Sequence, residues 1–467
     1  MNHNIRKYIF TGMLAICAPA LMAVTLDEAK ALYLKGRYAE ALPAFRTALK
    51  SKPKDPSLNH WTGVCLYKTG DPAQGKPLIE FAMTKNILEA PRYLAEIAFD
   101  EYRPADAEEY LERYRAAMKK AKKSVPADVE AFSDRVGRMS AMMGRVENIV
   151  IIDSLAVDKA EFFQSYRLSP ESGAFYSSAT LPDGFPSADT TVVYMPQSQS
   201  SMMWAAPDDT GRTHLLESAM LTDGSWEAPH SLGDAVNEGG DANFPFLMSD
   251  GITLYYANNG ENSLGGYDIF ITRRDDTEFL SPQNIGMPYN SPYDDYLLAI
   301  DEVTGVGWWA TDRNQLGDKI TIYRFIPSDL RINYDPDDRN IARNAKVVSY
   351  RDTWPDGADY TALLEQIDAI EPAGHEHQPD FVFPLPDGRV YTGWEDFRTG
   401  RGRELMEQYV DTDHADSEDR AELESLRRRY ADGDTSVAQR ILVLEKKIMT
   451  TRASQRRIAN EIIRIER

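Results

Sequence analysis

The sequence predicts a multidomain α+β chain. Helical repeats come first, then a set of small antiparallel sheets closing as a β-propeller of four or five blades, then a C-terminal helical hairpin or coiled coil. Three periodicities carry this reading. Small and apolar residues recur every 34 residues near the start, an aromatic-rich segment recurs every 53 residues in the middle, and a heptad series runs near the end. The boundaries that follow are 1–23 for a signal peptide, 24–146 for helical repeats, 147–411 for the sheet domain with a helical insertion near 360–370, and 412–467 for the last helices.

The first segment reads as an export signal. Arg6 and Lys7 precede an apolar stretch, Tyr8 to Ala23, that Thr11, Gly12 and Pro19 interrupt. Ala18, Ala20 and Ala23 offer small residues for cleavage, and the run is too short and broken to span a bilayer. Leu14-Ala15-Ile16-Cys17 departs from a lipoprotein cleavage box because Ile16 is not small. Export without a lipid anchor is therefore expected, to the periplasm or an outer-membrane-associated site. Cleavage beyond Cys17 leaves Cys65 alone, so the fold must rest on its cores rather than on a disulfide. No later segment reads as a transmembrane span.

Charge narrows the partners. Asp and Glu number 73 against 52 Lys and Arg, a formal charge of −21 that repels phosphate backbones, so no nucleic acid is expected. With 42% hydrophobic residues, 24 Tyr and 7 Trp, the chain has material for real cores and for strands.

The helical period is seen by aligning Ala29-x-x-Leu32-Tyr33-x-x-Gly36 on Gly63-x-x-Leu66-Tyr67-x-x-Gly70. The same shift carries Ala41 to Gly75, Phe45 to Ile79 and Ala48 to Ala82. Small residues suit close helix contacts, and the glycines suit a turn with a left-handed backbone. Pro53 and Pro56 break the chain before the second copy, and a third pair, Tyr93–Tyr102 and Ala105–Lys119, matches more loosely. These residues resemble tetratricopeptide repeats. The resemblance implies a concave groove that binds peptides or partner domains, with Tyr33, His60, Val64, Tyr67 and Lys68 at groove positions. The alternative is that the repeats only pack against the next domain.

In the middle of the chain, short runs rich in Val, Ile, Tyr, Phe and Trp alternate with Asp183-Gly184, Asp223-Gly224 and Asp250-Gly251 turns. Trp226-x-x-Pro229-x-x-Leu232-Gly233 returns as Phe279-x-x-Pro282-x-x-Ile285-Gly286, and Asn237 and Asp241 return as Asn290 and Asp294. Tyr255-Tyr256-Ala257 returns as Trp308-Trp309-Ala310, and an earlier copy aligns through Thr191–Met195, Met202–Trp204 and Leu215-Leu216. About four strands in each ~50-residue copy is the size of a propeller blade. Phe244–Gly251 followed by Leu254–Ala257 and Gly266–Phe270 resembles the WD40-like repeats of TolB-type periplasmic proteins. A fragment at Phe381-x-Phe383-x-Leu385-x-Asp387-Gly388, with strands at Asn148–Ile152 and Gly173–Ser177, is expected to complete the ring. An open stack of sheets is the alternative; closure removes exposed strand edges.

At the end, Val437, Ile441, Leu444, Ile448, Thr451, Gln455, Ile458, Ile462 and Ile465 step by four and three. A preceding helix carries Leu423, Leu426 and Tyr430. A fold-back hairpin is preferred over pairing with another chain, which would make an oligomer.

Few residues suggest chemistry. There is no nucleophile elbow and no phosphate-binding glycine loop, so no enzyme activity and no cofactor are expected. His375-Glu376-His377 lacks a third ligand, and Asp335-Pro336-Asp337-Asp338 lacks the spacing of a calcium loop, so no metal is expected. Asp250 and Asp387 read as turn residues. By position, Asp268, Asp294, Asp295 and Trp308 are candidates for a propeller face, with Asp301 a further carboxylate. The reading is a non-catalytic envelope scaffold binding other envelope proteins through the groove and that face. Resemblance to repeat-plus-propeller envelope proteins of Bacteroidetes-type bacteria implies a place in a secretion or envelope assembly, although helices stand where an OmpA-like peptidoglycan-binding module is absent. The alternative is a glycan-binding or glycoside-cleaving propeller.

Overall fold

The computed structural model describes residues 24–275, 278–328, 330–370, 383–385, 389–391, 394–431 and 437–466. They fall into two compact units that divide after Ile370. The expected signal segment, Cys17, His375 and His377 lie outside the described residues.

The first unit begins with seven helices: α1 Leu26–Leu34, α2 Tyr38–Ser51, α3 Pro56–Lys68, α4 Pro72–Thr84, α5 Ala90–Asp100, α6 Pro104–Lys120 and α7 Ala127–Met143. Local sequence sets their starts. Thr25 and Glu28 form a reciprocal cap, with Glu28 N–H donating to Thr25 Oγ1 at 3.3 Å and Thr25 N–H to Glu28 Oε2 at 2.8 Å. Asp55 and Asp71 cap α3 and α4, and each is followed by a proline whose missing N–H a first turn does not need. The small positions of the repeat are explained by contact. A Cβ on Gly75 would stand 2.5 Å from the Gly63 carbonyl oxygen, so α3 and α4 meet backbone to backbone. Ala29 and Ala41 are fully buried at the equivalent meeting of α1 and α2. Phe45 and Ile79 fill the space between layers.

Three sheets follow. The first is β2 (Ala174–Ser177), β3 (Val192–Met195), β4 (Ser201–Pro207), β5 (Thr213–Ala219) and β6 (His230–Ser231) in that order. The second runs β7 (Ala242–Leu247), β8 (Thr253–Asn258), β9 (Asp268–Asp275) and β10 (Glu278–Phe279), with β11 (Gln283–Asn284) also on β9. The third runs β12 (Asp295–Asp301), β13 (Val306–Leu316), β14 (Lys319–Ile326) and then β1 (Val150–Asp158). The third copy of the repeat thus supplies three strands, and β1, from before the first copy, supplies the fourth.

The α+β organisation matches the sequence reading, but the described residues hold three such sheets where four or five blades were expected. The reason is where the spare pieces go. β1, counted toward a further blade, covers the free edge of β14, and β2 covers the free edge of β3. Asp387 and Gly388 lie outside the described residues; the described part of the fragment near 381–391 forms a two-stranded hairpin, Phe383–Pro384 with Val390–Tyr391, in the second unit. There Phe383, Leu385 and Tyr391 bury against Leu405, Met406 and Ile462, a richer apolar surface than two short strands provide alone.

One core serves all three sheets. Phe175 and Tyr194 of the first, Phe246 and Ala257 of the second, and Leu297, Trp308 and Ile322 of the third share it. Tyr166, in the segment between β1 and β2, stacks on Trp308 at 5.6 Å and donates its hydroxyl to the Leu297 carbonyl at 2.6 Å. A helix at Thr361–Asp368 adds Ile367 to the same core. The helical array is docked on the sheets: Arg135 Nε donates to the Leu264 carbonyl (2.7 Å), Arg138 Nε to that of Ser263 (3.1 Å), and Phe99, Tyr102 and Met139 share a core with Leu264 and Met287.

The second unit is built on two long helices, Gly400–Ala431 and Ala438–Glu466. The first starts twelve residues earlier than the expected boundary at 412. Ion pairs Glu422–Arg440 and Asp419–Lys447 show that the helices run antiparallel. Leu423 and Leu426 bury against Val437, Leu444 and Ile448, so the heptad side is covered within the chain. No helix among the described residues is long and apolar enough to cross a membrane.

Candidate interaction surfaces

Helices α1, α3 and α5 bring one face together. Tyr33 on α1 meets His60 on α3, hydroxyl to Nε2 at 3.3 Å, and the His60 ring lies 5.6 Å from Tyr93 on α5. Tyr67 donates its hydroxyl to Asp100 Oδ2 at 2.8 Å. Lys68 lies over the Tyr67 ring at 4.6 Å and pairs with Glu96 at 2.6 Å. Glu96 also receives Arg92 Nε at 3.4 Å, and Arg92 Nη2 reaches Asp128 at 2.7 Å.

Burial sorts the five expected groove residues. Tyr33 and Tyr67 are half-buried, and the Lys68 side chain keeps about a third of its surface (32%). Val64 is fully buried in the layer between α3, α4 and α5, so it supports the face without presenting to it. His60 is buried, with Nδ1 lacking a hydrogen-bond partner, and burial pushes its pKa down to about 4, leaving the ring neutral at pH 7. Burial also pushes the Asp100 carboxyl above its ordinary value, against the opposing hydrogen bond from Tyr67.

Sequence reasoning missed the α5 contribution: Arg92, Tyr93, Glu96 and Asp100. The signal was present but shifted. The inter-helix turns have positive φ at Gly36 (74°), Gly70 (91°) and Tyr102 (57°), so the third copy comes 32 residues after the second and carries a tyrosine for the glycine. A non-glycine residue in that region is strained by roughly 1 kcal/mol. The Tyr102 ring, buried against the sheet domain with Lys346 over it at 5.8 Å, offsets that strain.

On the sheets, most expected face residues are interior. Asp268 is fully buried and accepts from Leu264 N–H (2.9 Å), Gly265 N–H (3.2 Å) and Asn284 Nδ2 (2.7 Å). Asp295 is fully buried, paired with Arg313 at 2.7 Å and held by the Ser291 N–H and hydroxyl, both at 2.6 Å. Trp308 is core. Asp301, buried, accepts from the Ser169 N–H at 2.9 Å and from the Ser169 and Ser172 hydroxyls. Groups so enclosed present no face to a macromolecule. Asp294 alone of the four is half-buried. Asp250 accepts from the Ile252 and Thr253 N–H groups, as a turn residue does.

The 53-residue repeat has a structural cause. Asn237 accepts the Leu215 N–H at 2.8 Å and donates to its carbonyl at 3.1 Å; Asn290 does the same to Ile269, at 2.7 and 2.9 Å. Each asparagine thus pairs with both backbone groups of a residue on the third strand of its sequence repeat, β5 or β9, whose carbonyl also accepts the N–H of Leu232 or Ile285. Asp241 accepts Thr213 N–H, at the start of β5, and Asp294 accepts Tyr267 N–H, directly before β9, each at 2.9 Å, tying the start of one sheet to the one before. β7 and β12 each carry a bulge where Phe244 (φ 54°) and Leu297 (φ 48°) take the left-handed region.

Near Asp294 the bulge helps assemble aromatic rings. Phe244 stacks on Tyr296 at 4.7 Å and meets Tyr267 at 6.0 Å, and Phe162 contacts Phe244, Tyr296 and Phe163 at 5.8, 5.3 and 6.2 Å. Phe163, Phe244 and Tyr267 remain partly exposed. The described residues contain no group of three or more His, Cys, Asp and Glu placed to hold a metal.

The tetratricopeptide repeat family model matches residues 26–75. That segment covers α1 to α3 and the start of α4, including the Gly63–Gly75 contact. No curated protein matches the chain in sequence. The start of the chain is therefore similar to tetratricopeptide repeats, and such repeats bind protein partners.

Proposed function

We propose that this protein is a non-catalytic scaffold of the cell envelope that holds a segment of a partner protein on the α1–α3–α5 face, with secretion or envelope assembly as its setting. The observation that carries the reading is the row of half-buried tyrosines, Tyr33, Tyr67 and Tyr93, with paired charges at Lys68, Arg92 and Glu96. Rigid amphipathic rings give contact area at small entropic loss, and charges already held in place lose little freedom on binding. Burial of Asp268, Asp295 and Trp308 supports the non-catalytic reading over a glycoside-cleaving one, since a sugar must reach its carboxylates.

Site-specific photocrosslinking tests this. A benzoylphenylalanine at Lys68 should give one or two discrete adducts with other proteins in cells, whereas the same group at exposed Arg46 on α2 should give none. Equal labelling from both positions would remove the groove from the account. Fractionation of the same cells should place the adducts in the envelope; recovery in the cytoplasm would contradict the setting.

A further inference from the structure

We propose that the aromatic surface formed by Phe163, Phe244, Tyr267 and Tyr296 is a second contact site, one that seats a lysine or arginine side chain of an extended protein segment. It lies on the sheets and does not depend on the helical face.

Phe244 stacks on Tyr296 at 4.7 Å and meets Tyr267 at 6.0 Å, Phe163 joins them through the buried Phe162, and Phe163, Phe244 and Tyr267 keep exposed area. Asp294 accepts the Tyr267 N–H and Asp312 accepts the Asp294 N–H, each at 2.9 Å, and Asp241 is within electrostatic reach of the Tyr267 hydroxyl, as Asp294 and Asp312 are of that of Tyr296. Among the described residues, Asp241 and Asp294 make no ion pair within 4 Å. Asp312 has only Lys159, at 3.7 Å. Arg212 is near Asp241, but its guanidinium donates to the carbonyls of Asn237 (2.9 Å) and Gly240 (3.2 Å).

Aromatic faces bordered by carboxylates that outnumber the nearby cations attract a cation twice, through the ring quadrupole and through charge. A net charge of −21 draws basic segments toward the chain at long range, and the rings then set where the side chain stops. A neutral sugar would use the rings and leave the excess of negative charge unmet, so the occupant is basic.

Calorimetric titration of the full chain with acetylated tetralysine, tetraglutamate, a neutral Gly-Ser octapeptide and chitotetraose tests the proposal. Tetralysine alone should bind. Asp294→Asn with Asp312→Asn, whose amides still accept from the Tyr267 and Asp294 N–H groups, should weaken it about tenfold, and Tyr267→Leu about fivefold. Glu109→Gln with Glu112→Gln on α6, the same change in charge elsewhere, should leave it unaltered. Lys68→Met should also leave it unaltered, so failure here and failure of the helical face are separate results. Equal weakening by the α6 pair would reduce the attraction to net charge and overturn the site. Binding of chitotetraose in place of tetralysine, or of neither, would overturn it too.

Discussion

The helical array and the sheets are both repetitive, but their repeated residues do different work. In the array the recurring small residues, Ala29/Gly63 and Ala41/Gly75, set packing, while the residues between them, such as Tyr33 and Tyr67, stay partly exposed. In the sheets the recurring polar residues, Asn237/Asn290 and Asp241/Asp294, are spent on backbone groups of the chain itself. Recurrence of a polar residue in the sheets therefore reports an internal bond first, and the contact proposed at Asp241 and Asp294 uses the charge that remains after that bond. The exposed aromatic surface there arises at Phe244, whose counterpart one repeat later is Leu297, where the repeat breaks.

Substitutions should separate the two regions. The largest effect is expected from Asp295→Ala, which strands Arg313, 3% exposed, without its carboxylate. Removing one partner of such a pair costs about 3–5 kcal/mol, measurable by urea unfolding. A loss below ~1 kcal/mol would mean that Arg313 finds another partner. Next, Asn237→Ala and Asn290→Ala should each cost about 1–2 kcal/mol, because each leaves a buried N–H, of Leu215 or Ile269, without its acceptor, while the carbonyl keeps the N–H of Leu232 or Ile285. Similar values for the two would show that they do the same job; a large difference would break the equivalence. Smallest, Thr25→Ala should cost about 1 kcal/mol, localised to α1 by hydrogen exchange, with the sheets unaffected.

Acidity offers a further separation. Burial raises the Asp268 carboxyl to about 7 from its ordinary 3.8. The folded state therefore binds more protons than the unfolded state between those values. The stability this group adds is full below pH 3.8 and is lost as pH rises toward 7. Asp268→Asn should flatten that part of the stability–pH curve, and a slope that survives the substitution would assign it to other groups.

Much of this was legible in the sequence, for physical reasons. Helix packing demands small residues at fixed spacing, so Ala29, Gly63, Ala41 and Gly75 announced the array, and Gly36 and Gly70 its turns. The third repeat was blurred because Tyr102 takes the left-handed turn position and is held by a ring contact with the other domain, which local pattern cannot reveal. Strand runs announced sheets, but a run does not say which edge it covers. β1 and β2 joined existing sheets, and Phe383–Tyr391 paired elsewhere, for that reason. Position within a repeat picked out Asp268 and Asp295 but not their burial, because burial of a carboxylate depends on donors such as Arg313 and the Ser291 N–H that the repeat pattern does not mark.

The most direct test of the central claim compares affinity with stability for one partner fragment recovered by crosslinking. With Lys68→Glu on the helical face, the account predicts at least a tenfold loss of affinity at an unchanged Tm. With Asn237→Ala in the sheets, it predicts a lower Tm at unchanged affinity, measured below the transition. The reverse pattern, with Lys68→Glu binding normally and Asn237→Ala failing to bind while folded, would contradict it.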